Sequence, residues 1–126
     1  MSILVIGSVA FDSLETPYGK AERVIGGSGT YISWAASYFH QPILLQSIVG
    51  EDFPKSEIVA LENRGVVTTG LEIVVGKKSF FWAGRYHENM NSRDTLITEL
   101  NVLADFDPKL PEDYKQSEYI MLGNLT

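Results

Sequence analysis

The chain has 126 residues, no cysteine and a formal net charge of −6, with 10 Lys and Arg against 16 Asp and Glu. A chain of this length buries roughly two-thirds of its unfolded surface, which supports one hydrophobic core. The absence of cysteine excludes a disulfide framework, a thiolate nucleophile and a cysteine-ligated metal site. The acidic balance argues against a nucleic-acid surface, since such surfaces need clustered Lys and Arg. A nucleotide substrate stays possible, because it needs only local positive groups.

No apolar run reaches the length of a membrane span, and no basic and apolar leader opens the chain. We therefore expect a soluble cytoplasmic protein that binds neither membranes nor nucleic acids. We find no internal repeat or low-complexity segment in the sequence.

The first predicted element is a buried strand at residues 3–6, a continuous apolar run that ends at Gly7. The carboxyl ends of strands in open α/β sheets face the ligand crevice, so Asp12 is well placed to meet a substrate. A turn or capping aspartate is the alternative interpretation of Asp12. Residues 13–18 and 20–25 then flank a turn, which predicts two short extended segments outside the sheet.

The stretch Gly26-Gly27-Ser28-Gly29-Thr30 precedes a helical pattern from Tyr31 to Phe39. Its glycines permit φ > 0 and close approach of a ligand to the main chain. Ser28 and Thr30 are candidate caps, and the first N–H groups of the helix suit an anion or a hydroxyl. An ordinary tight turn is the alternative, since the stretch fits neither the dinucleotide fingerprint nor the Walker lysine loop.

Three- and four-residue spacing predicts that one apolar stripe of this helix faces the core, with Trp34 and Tyr38 on the other side under a second packed element. His40, near the helix end, is predicted to be structural. The predicted stripe consists of Ile32, Ala35, Ala36 and Phe39.

A second buried strand is predicted at residues 43–49, followed by a helix from Asp52 and Pro54 to about Arg64. Gly65 is the predicted stop of this helix, and residues 66–67 and 71–75 return to extended structure. The predicted inward-facing residues of the helix are Ile58, Leu61 and Val59.

Residues 77–102 differ in character and predict an antiparallel flap that joins residues 13–25 in a small sheet apart from the core. The consecutive aromatics Phe80, Phe81 and Trp82 predict an exposed aromatic face, because neighbouring side chains on a strand point to opposite faces. His87, Glu88, Asp94 and Glu99 match no metal-ligand spacing and predict a solvated surface.

Residues 111–116 predict one helical turn, and residues 119–122 predict another buried strand that ends at Gly123 and Asn124. Because an unpaired parallel strand at a sheet edge is an association hazard, we expect a crossover helix and a further strand to follow. We therefore expect the chain to be the N-terminal part of a longer protein, incomplete at its C-terminal end.

In this order and spacing, the motifs resemble the ribokinase-like, or PfkB, carbohydrate and nucleoside kinases over essentially the whole chain. The resemblance depends on the first strand leading to Asp12, the Gly26-Gly27-Ser28-Gly29 stretch, and Val49-Gly50-Glu51-Asp52 before a second helix. Residues 65–71 are similar to the segment that enters the flap in this family.

The resemblance implies an α/β fold, with a Rossmann-like parallel core and a small β-sheet lid made from residues of about 13–25 and 72–102. It also implies transfer of the γ-phosphate of ATP, with Mg²⁺, to a hydroxyl of a sugar, nucleoside or inositol. Lids in the family often pair between subunits, so a homodimer through the lid is expected.

The resemblance also implies substrate-binding residues. Asp12 matches the aspartate that holds substrate hydroxyls, and Gly26 and Gly27 match the diglycine at the lid hinge, with Ser28 beside them. Tyr31 stands where the family usually has a substrate-binding asparagine, and Asn124 is a further candidate.

No catalytic residue is assigned within the 126 residues. The ATP site and the catalytic aspartate of the family lie in its C-terminal half, which no segment here matches, so they are expected beyond Thr126. The alternative is a non-catalytic ligand-binding or interaction module that keeps the fold. A dinucleotide-binding Rossmann domain is disfavoured, because no glycine fingerprint follows the first strand.

Overall fold

The structure is a computed structural model and describes residues 2–125. It contains eight strands and two α-helices within those residues, and short 3-10 helices at Asn101–Asp105 and Glu112–Tyr114. In chain order the elements are β1 (Ile3–Ile6), β2 (Ala10–Thr16), β3 (Gly19–Gly26), α1 (Ser28–Ala36), β4 (Ile43–Gly50), α2 (Lys55–Asn63), β5 (Val66–Val74), β6 (Phe80–Tyr86), β7 (Arg93–Glu99) and β8 (Tyr119–Leu122).

The core sheet has four parallel strands in the order β5-β4-β1-β8. All eight residues of β4 are buried, including Gln46 and Ser47, which confirms the second buried strand predicted at residues 43–49. Both helices pack on one face of the sheet, where Ile32 of α1 and Ile58 of α2 contact the main apolar cluster. Tyr114 is fully buried on the opposite face with Leu4 and Leu44.

Strand β5 is a single strand that belongs to the core sheet along its whole length. Its last residue, Val74, pairs with Gly50 of β4. The two extended segments expected at 66–67 and 71–75 are therefore one element, and the second segment of the small sheet begins at Phe80 rather than at about residue 72.

The small sheet is mixed, with the order β3-β2-β6-β7. The hairpins β2–β3 and β6–β7 are antiparallel, as their turns predicted, but β2 and β6 pair in parallel. The expected antiparallel flap within residues 77–102 is confirmed as the β6–β7 pair, and it joins β2 through a parallel pair. The pairing also begins at Ala10, so Asp12 lies on a strand of the small sheet and not in a loop.

The predicted core stripe of α1 is wrong in two positions. The helix ends at Ala36, and Ala35 and Phe39 are exposed, Phe39 by 91%. The residues that α1 buries are Gly29, Thr30 and Ser33. The helix lies so close to the chain at Gly7 that small residues, and not large apolar ones, form its inner face.

Within the described residues, the outer side of α1 is not covered by a packed element, since Trp34 and Tyr38 are exposed and only the Arg64 side chain lies against their rings. The Arg64 guanidinium carbon lies 4.8 Å from the Trp34 ring centroid and 3.9 Å from that of Tyr38. On α2, Leu61 is buried and Ile58 half-buried, but Val59 is 50% exposed, which contradicts its predicted inward position. Asp52 precedes this helix without capping it, since the N-cap residue is Pro54.

The exposed aromatic face expected from Phe80, Phe81 and Trp82 is absent from the small sheet that the structure describes. Phe80 is buried, and Trp82 packs against the same cluster as Phe80. Phe81 packs on the other face, against the main core. Each ring is therefore at least partly covered by the chain itself.

Strand β8 pairs with β1 at the edge of the core sheet, but its burial was predicted wrongly. Its four side chains are between 51% and 72% exposed. Val102, the last residue of the expected flap, lies outside the small sheet, buried in the 3-10 helix that follows β7.

Candidate functional site

The site forms where β1, α1 and β8 meet at the carboxyl end of the core sheet. The backbone N–H of Ser8 donates to Ser28 Oγ at 3.2 Å, and the Ser28 N–H donates to Ser8 Oγ at 3.1 Å. The Ser28 hydroxyl donates to the carbonyl oxygen of Asn124 at 2.6 Å, while the Gly123 N–H donates to the Ile6 carbonyl at 2.7 Å. These bonds join three elements that are far apart in the sequence.

Gly27 and Gly29 permit this junction for steric reasons. Gly27 has φ of 96°, and a Cβ atom there would overlap the backbone of Ser8. A Cβ atom at Gly29 would lie 2.9 Å from the carbonyl oxygens of Gly7 and Ser8. The glycines thus act mainly in packing the start of α1 against the chain that leaves β1.

The predictions that Ser28 and Thr30 cap α1, and that its first N–H groups are free to bind a ligand, are wrong. The N-cap residue is Gly27, which makes no side-chain capping bond, and the Ser28 hydroxyl donates to Asn124 instead. The N–H groups of Ser28 and Gly29 both donate to Ser8, to its hydroxyl and its carbonyl oxygen. They are therefore already occupied, and this helix start does not fit a phosphate group.

Asp12 lies on β2 with its carboxylate packed over Gly26. A Cβ atom at Gly26 would overlap Asp12 Oδ2, so the glycine makes room for the carboxylate. The side chain is half-buried, and this burial raises the pKa of the Asp12 carboxyl above its usual value. A carboxylate that is partly desolvated and faces a cleft suits hydrogen bonds from ligand hydroxyls.

A cleft of about 490 Å³ lies between the small sheet and the start of α1. Five of the six predicted substrate residues line it, and the sixth, Gly26, lies directly under Asp12. The residues that line it are Ser8, Asp12, Gly27, Ser28, Tyr31, Phe80, Trp82, Tyr86, Arg93, Thr95, Thr98 and Asn124.

Tyr31 is 59% exposed at the mouth of this cleft, and its hydroxyl donates to the Ile25 carbonyl at 3.4 Å. The tyrosine therefore borders the site where the resemblance implies an asparagine. Asn124 lines the cleft as expected, and its carbonyl oxygen holds the Ser28 hydroxyl.

A larger cleft of about 710 Å³ is a less suitable site. It lies near the amino ends of β4 and β5, lined by Gln41, Pro42 and residues 65–69 among others. Ligands of open α/β sheets bind at the carboxyl ends of the strands. The cleft at Asp12 has that position, and polar groups from several elements converge on it.

Within residues 2–125 no group of three His, Asp or Glu side chains is arranged to hold a metal ion. His87 Nε2 lies 3.2 Å from Asp94 Oδ2, and both residues are on the surface of the small sheet. In the described part of the chain no helix is long and apolar enough to cross a membrane.

No family model matches the sequence. A curated relative, the cytidine kinase of Thermococcus kodakarensis, is 29% identical over 115 residues, which cover 90% of this chain and 40% of that protein. The nucleoside kinase of Methanocaldococcus jannaschii has a similar structure, with a TM-score of 0.71 and 14% identity over 96% of this chain and 44% of that one.

Two further solved structures are also similar to this chain. The fructokinase of Halothermothrix orenii has a TM-score of 0.70 and 15% identity, over 97% of this chain and 46% of that one. A nucleoside kinase of Burkholderia thailandensis, solved in complex with ADP-inosine, has a TM-score of 0.67 and 14% identity, over 82% of this chain and 38% of that one. The chain has the ribokinase-like fold.

The chain spans less than half the length of each of these four proteins. Within this ribokinase-like fold, the parallel core and the small sheet confirm the fold expected from the sequence. The motifs at Asp12 and at Gly26 to Gly29 are brought together at one cleft.

Several cleft residues of the ribokinase-like fold were missed in the sequence. One of them is Ser8. The other six lie on β6 and β7 and are Phe80, Trp82, Tyr86, Arg93, Thr95 and Thr98. Period-two alternation along β6 could have placed Phe80, Trp82 and Tyr86 on one face. The pairing of β6 with β2, which brings that face beside Asp12, has no signal in a single sequence.

Proposed function

We propose that the chain forms the substrate-binding and lid part of a ribokinase-like kinase, which transfers a phosphoryl group from ATP to a hydroxyl of a sugar or sugar-bearing small molecule. The observation that carries this proposal is the half-buried Asp12 carboxylate in a cleft between the core and the small sheet. Such a carboxylate accepts hydrogen bonds from neighbouring hydroxyls of one substrate.

The relatives support phosphotransfer to an alcohol. They are a cytidine kinase, a nucleoside kinase and a fructokinase, so they include both sugar and nucleoside kinases. The complex with ADP-inosine supports ATP as the phosphoryl donor in this proposal. The proposed acceptor class therefore includes both sugars and nucleosides.

In the proposed reaction, Asp12 orients the acceptor through its hydroxyls and does not remove the proton. The small sheet covers the cleft from one side, which limits the access of water to the reacting groups. The glycines at 26, 27 and 29 allow α1 and β3 to pack close to β1 and β2. This packing fixes the position of the Asp12 carboxylate relative to the start of α1.

ATP and Mg²⁺ would supply the phosphoryl group and the neutralisation of its charge. The residues at the glycine stretch do not fit the phosphates, because the Ser28 and Gly29 N–H groups already donate to Ser8. Our proposal therefore assigns ATP, Mg²⁺ and the catalytic base to residues outside this chain.

The test is an ATP-dependent phosphorylation assay on the product of the whole gene, with a panel of sugars and nucleosides. Asp12→Asn should lower kcat/KM by about tenfold or more, since a hydrogen bond to a charged group contributes about 1.5–3 kcal/mol. Asp107→Asn, which changes an exposed carboxylate outside the cleft, is the matched control. Unchanged kinetics in Asp12→Asn would overturn the assignment.

We also propose that two copies associate through the small sheet. The aromatic residues of β6 give little support, because they are covered within the chain. Support comes from β7, an edge strand whose seven residues are all exposed, including Leu96 at 48% and Ile97 at 46%. Light scattering that shows a monomer for the whole gene product at micromolar concentration would contradict this proposal.

A further inference from the structure

Arg23 lies in a β-bulge of β3, beside the part of β2 that carries Asp12. The pairing of β2 with β3 shifts between Asp12 and Leu14, which accommodates one extra residue of β3. Arg23 has a φ of 48°, a left-handed conformation that residues with a side chain rarely adopt. Such a conformation persists only where the surroundings hold the residue in place, and it is typical of functional sites.

Arg23 contacts both chain neighbours of Asp12. Its backbone N–H donates to Ser13 Oγ at 3.0 Å, and its guanidinium carbon lies 4.4 Å from the centroid of the Phe11 ring. Phe11 is buried in the main core cluster, on the opposite face of β2 from Asp12. Arg23 therefore holds the chain immediately before and after the carboxylate, although it is not among the residues that line the cleft.

The guanidinium of Arg23 also reaches the core, where its partner is Asp52 in the loop after β4. Arg23 Nη2 lies 3.6 Å from Asp52 Oδ2. Asp52 Oδ1 accepts from the N–H of Ser79 at 2.9 Å and from its hydroxyl at 2.7 Å. The buried Ser79 precedes β6, and its Oγ accepts from the Gly50 N–H at 2.9 Å. One carboxylate thus connects β3 and the start of β6 to the end of β4.

The ion pair is well placed to control geometry rather than stability. The side chain of Arg23 is 56% exposed and that of Asp52 is 27% exposed, so their attraction contributes little to the free energy of unfolding. The cleft, however, lies between the small sheet and the start of α1, which packs on the core. A contact that ties β3 and β6 to one point of the core therefore affects the width of the cleft and the position of Asp12.

We propose that the Arg23–Asp52 ion pair fixes the small sheet on the core and thereby positions the Asp12 carboxylate for the acceptor substrate. Arg23 is a positioning residue, since it acts through Asp12 and lies outside the cleft. The inference rests on the proposed function and adds to it the residues that hold its key carboxylate in place. A displacement of about 1 Å can lower a rate by about a hundredfold, so a weak ion pair can have a large effect on turnover.

The test measures the kinetics of the whole gene product with the best substrate of the sugar and nucleoside panel. Arg23→Gln and Asp52→Asn should each lower kcat/KM by about five- to tenfold. Asp52→Asn keeps an oxygen that can accept from Ser79 and removes only the charge opposite Arg23. Because both variants break the same contact, the double variant should lie within about twofold of either single variant.

Two further variants serve as rescue and control. Arg23→Lys keeps the positive charge without the planar guanidinium, so its kcat/KM should lie between those of wild type and Arg23→Gln. Lys20→Gln removes a positive charge from the same strand. Lys20 Nζ lies 3.9 Å from Glu15 Oε1, a contact within the small sheet, so this variant should keep the kinetics of wild type.

A background with Asp12→Asn separates positioning from a merely structural role. In that background Arg23→Gln should lower kcat/KM by less than about twofold, because the carboxylate through which Arg23 acts is already gone. A general loss of structure would instead lower kcat/KM by the same factor with and without the Asp12 carboxylate. Urea unfolding should show nearly the same midpoint for Arg23→Gln, Asp52→Asn and wild type.

The outcomes distinguish this inference from the proposed function. Wild-type kinetics in Arg23→Gln and Asp52→Asn, with Asp12→Asn impaired, would overturn the positioning role and leave the proposed function in place. Losses that multiply in the double variant, or that persist in full in the Asp12→Asn background, would also overturn the positioning role. If the protein phosphorylates neither a sugar nor a nucleoside, both the inference and the proposed function fail.

Discussion

Asp12 combines partial burial with a position open to ligand, and this determines its dependence on pH. Because burial raises its pKa, the carboxyl protonates at a higher pH than an ordinary aspartate does. Protonation removes an acceptor of ligand hydroxyls. We predict that substrate affinity falls on acidification, starting above the range of ordinary carboxyls, and that the affinity of Asp12→Asn is weaker but nearly constant over the same range. Calorimetric titrations between about pH 4 and pH 8 measure this.

The same shift fixes the sign of the effect on stability. A pKa that is higher in the folded than in the unfolded chain means that stability is greatest below the unfolded pKa and decreases as the pH rises through the folded value. Wild type should therefore lose stability relative to Asp12→Asn between acid and neutral pH. An opposite trend in urea unfolding would show that Asp12 has a stabilising partner when ionised.

Gly27 permits a second prediction, which separates backbone strain from steric overlap. Gly27 and Gly76 both have positive φ, but a Cβ atom would overlap the Ser8 backbone at Gly27 and meet nothing within 4 Å at Gly76. Gly76→Ala should cost about 1–2 kcal/mol of unfolding free energy from the left-handed conformation alone. Gly27→Ala should cost at least about 1 kcal/mol more, because the Ser8 backbone must move. Equal losses in urea unfolding of the two variants would contradict the overlap.

At the scale of elements, Tyr114 forms hydrogen bonds to the backbone where the pairing of β4 and β5 is irregular. The pairing of these strands shifts between Leu44 and Gln46, so their ladder is interrupted there. The Tyr114 hydroxyl accepts from the Gly70 N–H at 3.0 Å and lies 3.0 and 2.8 Å from the carbonyl oxygens of Leu45 and Val67, its acceptors. A residue from a distant 3-10 helix therefore satisfies the backbone that the shift exposes.

We predict that Tyr114→Phe lowers the free energy of unfolding by about 1–3 kcal/mol, since it leaves buried backbone groups without a partner. The substitution keeps the ring and its packing against Leu4 and Leu44. Tyr18→Phe, at a side chain that is 83% exposed, is the control and should change stability by less than about 0.5 kcal/mol. If Tyr114→Phe leaves the free energy of unfolding unchanged in denaturant titrations, water replaces the hydroxyl as the hydrogen-bond partner of these backbone groups.

The elements also show why some parts of the fold could be predicted from the sequence and others could not. Strand β1 is a short apolar run, β4 is apolar except at Gln46 and Ser47, and a glycine marks the end of each, so both strands could be recognised with little ambiguity. Strand β5 was divided in two at Gly70, because the tyrosine that stabilises its irregular part lies 44 residues away. The inner face of α1 was misassigned because glycine contacts with a neighbouring backbone do not appear in hydrophobic periodicity.

The candidate site, like the fold, could be predicted from the sequence only in part. Asp12 and the glycines at 26 and 27 could be found because a strand, a glycine stretch and a helix occur in sequence order. The contribution of β6 and β7 depends on the register between strands, which sets Trp82 beside Asp12. Residues that meet only through a non-local pairing cannot be identified from one sequence alone.

At the scale of the whole molecule, β8 exposes the side chains of its four residues at the edge of the core sheet. We predict that a protein of these 126 residues alone binds ATP poorly, transfers no phosphate above a no-protein control and self-associates at micromolar concentration. Calorimetry, a coupled assay and light scattering measure the three properties. Turnover above the control would place the catalytic groups within this chain and contradict our assignment of the ATP site.

The hydrogen bonds of Ser28 also determine when the cleft can form during synthesis on the ribosome. They join Ser8 to Ser28 over 20 residues and Ser28 to Asn124 over 96 residues. Ribosomes add roughly 5–20 residues per second, so a nascent chain would present the start of α1 without its last partner for roughly 5–20 s. During translation, the ligand cleft would therefore be among the last parts of this chain to mature.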